Sequence, residues 1–125
     1  MGNIRKYKIS ATIPAGGTGV TAHSTAIRGK IIAVGVNYPT NNCTVDLDSA
    51  GEASAQKILD LAAANTDKTY YPRTPVSTYT GAETVLSYTA LKVYEPFVVY
   101  GRILLTVASG TAGDTVSVHV MVEEE

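Results

Sequence analysis

In the stretch "DTVSVHVMVEE" a valine stands at every second position, and this spacing constrains the chain more than any other feature it has. Only an extended strand, whose side chains alternate between two faces, puts Val116, Val118, Val120 and Val122 on one side and Thr115, Ser117, His119 and Met121 on the other. A helix would scatter the same valines around its circumference. The period recurs upstream. "EPFVVYGRILLTVAS" sets Phe97, Val99, Gly101, Ile103, Leu105 and Val107 against Val98, Tyr100, Arg102, Leu104 and Thr106, and the half-apolar second face predicts a central strand or one covered on both sides. "SGTAGD" between these two runs has the glycines and aspartate of a hairpin loop, so residues 95 to 122 read as one long antiparallel hairpin.

"RKYKISATIP" alternates Tyr7, Ile9, Ala11 and Ile13 with Lys6, Lys8, Ser10 and Thr12 until "AGGTG" interrupts it. "KIIAVGVNYP" is a further β-branched run, and "CTVDLDS" turns Cys43, Val45 and Leu47 inward with Thr44, Asp46 and Asp48 outward. "ASAQKILDLAAANT" is ambiguous, because its alanines and the Ile58, Leu59, Ala62 spacing also suit a short helix. Its all-β surroundings favour a strand over residues 55 to 62 and a turn from Asn65 to Lys68. The expected fold is all-β, an antiparallel sandwich of about eight short strands with a jelly roll as its leading form.

A chain of 125 residues is one domain by length, with enough buried surface for a core that needs no disulfide or metal. Cys43 is the sole cysteine, which excludes an intrachain disulfide and a cysteine-built zinc site; a small inward strand residue is its expected role. No apolar run is long enough for a membrane-spanning helix, and "MGNIRKYKIS" lacks the apolar segment of a signal peptide, so the mature protein is expected to be the whole chain. Lys6 stands where N-myristoylation wants Ser or Thr.

The formal net charge is −1, but its placement is uneven. The first 30 residues hold Arg5, Lys6, Lys8, Arg28 and Lys30 and no acid, whereas most acids lie later, ending in Glu123, Glu124 and Glu125. Mutual neutralisation of the two ends is the plain reading. Contact between protomers, or docking of the basic strand through Arg5, Lys6 and Lys8 on an acidic partner, is the sharper one. Nucleic acid is not expected, since five cations are few and the remaining chain would repel phosphate.

No catalytic pattern stands out. "AGGTG" lacks the Lys and Ser/Thr of a phosphate loop and reads as a flexible hairpin loop. Asp46, Asp48 and Glu52 could present oxygens to calcium, although carboxylates on an outward strand face more often serve solubility. His23 and His119 have no partner at metal-site spacing, and the scattered carboxylates define no acid and nucleophile pair. Neither an enzyme nor a small-molecule substrate, cofactor or metal is expected. Sugar binding is the rival from another class: Trp is absent, but Tyr70, Tyr71, Tyr79, Tyr88, Tyr94 and Tyr100 could form a tyrosine platform.

"TYYPRTP", residues 69 to 75, places two tyrosines, an arginine and two prolines in seven positions. Each proline forces the residue before it into an extended conformation, so the segment is a stiff arm. Two readings follow. Its tyrosines cover the end of the core, or Tyr70, Tyr71 and Arg73, with Tyr94, form an oligomer interface.

"YYPR", followed by "VYEPFVVYGRILLTVASG" and "DTVSVHVMVEEE", resembles the closing half of the jelly-roll decoration or cement proteins on tailed-bacteriophage heads. The likeness covers roughly residues 69 to 122 and is one of pattern. It implies a homotrimer on the virion surface that tightens contacts between major capsid proteins without catalysis. Other virion parts, such as a fibre or baseplate module, share these features.

Overall fold

The computed structural model describes residues 3–51, 55–77, 80–81, 85–86, 91–92 and 94–124. Glu52, Tyr79, Tyr88 and Glu125, named above, lie outside them. The fold is all-β and antiparallel. Its strands are β1 (Asn3–Thr12), β2 (Val20–His23), β3 (Ile27–Asn37), β4 (Cys43–Ala50), β5 (Lys57–Ala64), β6 (Lys68–Tyr70), β7 (Arg73–Pro75), β8 (Val85–Leu86), β9 (Leu91–Lys92), β10 (Tyr94–Pro96), β11 (Val98–Ala108) and β12 (Thr115–Glu124). Eight strands form the main sheet in the order β1-β12-β3-β11-β4-β5, with β2 beside β11 and β6 beside β3. The other four make two small ribbons, β7 with β10 and β8 with β9.

The sheet turns on β11 to become sandwich-like. Val98 to Gly101 pair with Lys30 to Ile27 of β3, whereas from Arg102 onward the strand pairs with β4 on one edge and, at Leu104 to Val107, with β2 on the other. One layer is therefore β1-β12-β3 and the other β2-β11-β4-β5. Their inner faces meet in a single core that includes Ile9, Val118 and Val120 from the first and Val45, Leu47, Ile103 and Leu105 from the second. The alternation read from the sequence is the burial pattern found: Val116, Val118, Val120 and Val122 are buried, as are Ile9, Ala11 and Ile13, and Cys43, Val45 and Leu47. Residues 57 to 64 are a strand, since Leu59 and Leu61 pack towards the core from the sheet's edge beside β4.

Two expectations fail at the connections. β11 and β12 are not a hairpin, because β3 lies between them; residues 109–114 carry the chain from one layer to the other. Nor is "AGGTG" a hairpin loop, since β2 pairs with β11 rather than with β1. The two loops are tied together instead: Gly110 N–H donates to the Thr18 carbonyl at 2.8 Å, and Gly113 N–H donates to that of Ile13 at 2.8 Å. Glycine spacing marks a turn but not which strands it joins. Sequence distance favoured neighbours, and the closure of the core overrode it.

The layers change at a buried serine. Between the β3 and β2 pairings of β11 lies Ile103, whose N–H donates to Ser24 Oγ at 2.9 Å while its carbonyl accepts from Ser24 N–H at 2.9 Å. Ser24 Oγ donates in turn to the Thr25 carbonyl at 2.7 Å. This one side chain satisfies backbone groups that the change of partner strand would otherwise leave unpaired.

The chain crosses between layers repeatedly at one end, through residues 13–19, 38–42, 65–67 and 109–114. Asn41 Nδ2 donates to Asp114 at 3.1 Å, Asn65 Nδ2 to the Thr40 carbonyl at 3.1 Å, and the Tyr38 N–H to Asp67 at 2.8 Å, so these loops brace one another. We call this the closed end. Opposite it lie the start of β1, the end of β12, and the starts of β3 and β11.

Candidate functional site

Among the described residues the large apolar side chains that stay exposed are Ile4, Tyr71, Tyr94, Val98 and Tyr100, each 46 to 67 % accessible; Ile4, Val98 and Tyr100 belong to the open end, and Tyr71 follows β6 farther along β3. Register explains why. Ile4 lies opposite Glu123, Glu123 opposite Lys30, and Lys30 opposite Val98, so the four form one row across β1, β12, β3 and β11 on the outer face. Tyr100 lies opposite Arg28 in the same face, and the guanidinium carbon stands 5.3 Å from its ring centroid. The outer face of β11 is therefore not uniformly covered: Val98, Tyr100 and Arg102 are exposed, while Leu104 and Thr106 towards the closed end are half-buried.

"TYYPRTP" bridges a gap in the edge of β3. β6 pairs with Val34 to Val36, β11 pairs with Ile27 to Lys30, and between them β3 carries a bulge where Met121 faces Ala33 but Val122 faces Ile31. Ile32 is the extra residue. Arg73 reaches back over it, donating from Nη1 to the Pro72 carbonyl at 2.8 Å and to the Ile32 carbonyl at 3.5 Å. Pro72 is buried and Tyr71 beside it is exposed. The four residues expected at an interface thus divide. Tyr71 and Tyr94 project outward, and Arg73 is exposed but bound to backbone. Tyr70 is partly buried against the core with Lys68 Nζ 5.3 Å from its ring centroid; burial first, and Tyr70 beside it, push the Tyr38 phenol above its usual range. Tyr70 covers the core as the first reading expects, and Tyr71 and Tyr94 are left exposed.

The basic strand also divides. β1 pairs with β12 along its whole length, which sets Asn3 opposite Glu124 and Arg5 opposite Val122. Arg5 lies 3.9 Å from Glu124 and 5.3 Å from the ring centroid of Tyr7, whose hydroxyl donates a short hydrogen bond to Glu124. That bond, with some burial, raises the Tyr7 phenol above its ordinary range. Part of the charge asymmetry is thus neutralised inside the chain. Lys6 and Lys8 face outward on an edge strand, where lysine also discourages unwanted strand pairing.

A pocket of about 300 Å³ opens at this end, lined by Asn3, Arg28, Tyr100 and Glu124. It combines an aromatic ring, a cation, an anion and an amide. No sequence signal singled it out, because the four residues come from four strands and meet only through register. Gly29 helps assemble it: at φ 148° it lets the backbone of Glu123 approach closer than any β-carbon would permit.

The remaining candidates are placed elsewhere. Asp46 and Asp48 share the outer face of β4, and the Lys57 ammonium lies 3.1 Å from Asp48 and 4.0 Å from Asp46, so both carboxylates already have a cation of the chain beside them. Asp60 faces Asp46 across the β4–β5 pair. Burial and this second carboxyl raise the Asp46 pKa, against the opposing pull of Lys57. His23 is exposed on β2, and His119 is half-buried on the outer face of β12. Cys43 is fully buried, and burial pushes its thiol up, away from the reactive thiolate. No protein-family model matches the chain, and no curated protein matches its sequence significantly.

Proposed function

We propose that this chain is a non-enzymatic structural protein of a virion, a decoration protein that docks on an assembled head and stabilises it as an oligomer. The observation that carries the reading is the exposure of Ile4, Tyr94, Val98 and Tyr100 about one end of a sandwich-like fold, with Tyr71 exposed on the arm beside β3. Rigid tyrosines lose little entropy on docking and offer both an apolar body and a polar tip. The phage-like pattern over residues 69 to 122 supports the same reading, with a jelly roll as the finer form of the sandwich and a homotrimer as the assembly. Tyr71 and Tyr94, with Arg73 behind them, carry contacts between protomers. Lys6 and Lys8 on the outer face of β1, with Arg5 beside them, meet the major capsid protein. A protein that binds only the assembled shell stabilises it by its own binding free energy, summed over many sites.

Light scattering on the purified protein and co-sedimentation with assembled shells test the two halves. A trimer that Tyr71→Ala with Tyr94→Ala converts to a folded monomer supports the interface, and an unchanged mass overturns it. Replacing Lys6 and Lys8 by Gln should weaken co-sedimentation, and more so at low salt; indifference to both refutes electrostatic docking. The exposed Tyr71, Tyr94 and Tyr100 favour sugar binding as the second reading. A monomer whose unfolding temperature rises with one member of an oligosaccharide panel would establish it instead.

A further inference from the structure

Arg28 is the uncommitted charge of the open-end pocket. Glu124, across from it, is already engaged by the Tyr7 hydroxyl and by Arg5. Among the described residues the ion pairs are those of Arg5 with Glu124 and of Lys57 with Asp46 and Asp48, and none of them includes Arg28. Its guanidinium carbon lies over the Tyr100 ring, 5.3 Å from the centroid. A guanidinium drawn to a ring by its charge still has its edge N–H groups for a second partner. That edge is a planar fork, and its natural complement is a carboxylate bound through two parallel hydrogen bonds.

We propose that the pocket lined by Asn3, Arg28, Tyr100 and Glu124 is a recognition site for a carboxylate, supplied by a glutamate or aspartate side chain of a partner protein. Three features favour this ligand. Arg28 supplies a cation to the lining while Glu124, the counter-charge there, is already held by Arg5 and the Tyr7 hydroxyl, so the guanidinium can still attract an anion. The neighbouring row ends in Ile4 and Val98, which suit the apolar stem of such a side chain. The fixed carboxylate of Glu124 disfavours a more highly charged anion such as phosphate while Asn3 offers an amide donor. The identity of the partner rests on the docking reading above; the chemistry of the pocket does not.

The probes are the capped peptides Ac-Ala-Glu-Ala-NH2 and Ac-Ala-Gln-Ala-NH2, titrated into the full chain and followed by NMR at the arginine Nε–Hε and tyrosine ring signals. The Glu peptide should shift the Arg28 and Tyr100 signals and bind at least about fivefold more tightly than the Gln peptide. Arg28→Gln should abolish that preference, and Arg28→Lys should lose most of it because an ammonium cannot make the paired bonds. An unchanged amide spectrum elsewhere shows that the variants fold. Equal binding of the two peptides, or a preference that survives Arg28→Gln, overturns the site. Inorganic phosphate binding as well as the Glu peptide overturns the carboxylate assignment. If the Glu peptide binds selectively but assembled shells do not co-sediment, the pocket stands and the docking reading falls.

Discussion

The two ends of this sandwich solve opposite problems. At the closed end the crossing loops hydrogen-bond to one another, Gly110 packs directly on Ile13 and Cys43, and the polar side chains Asn41, Asn65, Asp67 and Asp114 are spent on neighbouring loops. At the open end an arginine lies over a tyrosine ring without an ion pair among the described residues, and exposed Ile4 and Val98 end a row across four strands whose middle is Glu123 and Lys30. The closed end is where the chain holds itself together. The open end keeps large apolar side chains exposed, which is the ground for the docking surface proposed above.

The contrast breaks most severely at Gly29. A β-carbon there would lie well inside contact distance of the Glu123 carbonyl, a backbone atom that no rotamer change can move, and the residue's positive φ adds strain. Gly29→Ala should cost at least about 4 kcal/mol, measured by urea unfolding. Gly113→Ala at the closed end is the comparison, because its φ is 89° but nothing stands within 4 Å. It should cost only the strain of the conformation, about 1 kcal/mol. Equal costs would mean that the close approach of β12 to β3 does not constrain the fold.

Next comes core against rim. Leu105 is fully buried between the layers, so Leu105→Ala should lose about 3 kcal/mol through lost burial and the cavity left behind. Tyr94→Ala at the open end should change monomer stability by no more than about 0.5 kcal/mol. A large loss at Tyr94 would make that tyrosine part of the core's cover rather than a contact for a partner.

These regions also differ in how readable they are. At the core, period-two spacing translated directly into burial, since a strand's geometry leaves a Val at positions 116, 118, 120 and 122 no choice of face. Partner choice was not encoded so locally. The supposed β11–β12 hairpin failed because β3 intervenes, and the short strands β2 and β6 exist only as fillers along β11 and β3. The bulge at Ile32 shows the same limit: "KIIAVGV" reads as one strand, yet its inner positions shift from Ile31 to Val34 and open the gap that Arg73 spans. Of the candidate site, Tyr71 and Tyr94 were visible as tyrosines in a polar setting. The Arg28–Tyr100 pair, more than seventy residues apart, was visible only once register placed the two opposite each other.

Ser24 tests the hinge on which the two layers turn. Ser24→Ala would keep the backbone bond to the Ile103 carbonyl but leave the buried Ile103 N–H without its acceptor. The expected loss is about 1–2 kcal/mol in chemical unfolding, the usual cost of an unmet buried donor. Ser24→Thr, which retains the hydroxyl, should recover most of it if the pocket admits a methyl group. A neutral Ser24→Ala would show that the change of partner strand on β11 needs no side-chain support.

The smallest effect is electrostatic and lies on the outer face of the second layer. Asp46 and Asp48 on β4 face Lys57 and Asp60 on β5, and burial with the Asp60 carboxyl raises the Asp46 pKa. A carboxyl raised on folding binds its proton more tightly in the folded protein. Its stabilising contribution is therefore full below the ordinary carboxylate range and declines as pH rises through the raised value. Asp46→Asn should match the natural protein near pH 4 and exceed it at pH 7 by a few tenths of a kcal/mol, the scale of a partly exposed charge interaction. Lys57 would keep Asp48, 3.1 Å away, as its partner. Thermal unfolding across this pH range decides the sign. If Asp46→Asn is instead the less stable protein at pH 7, with the deficit growing as pH rises, Asp46 is held as the anion of a stabilising pair with Lys57, and the outer face of β4 and β5 belongs with the self-satisfied closed end.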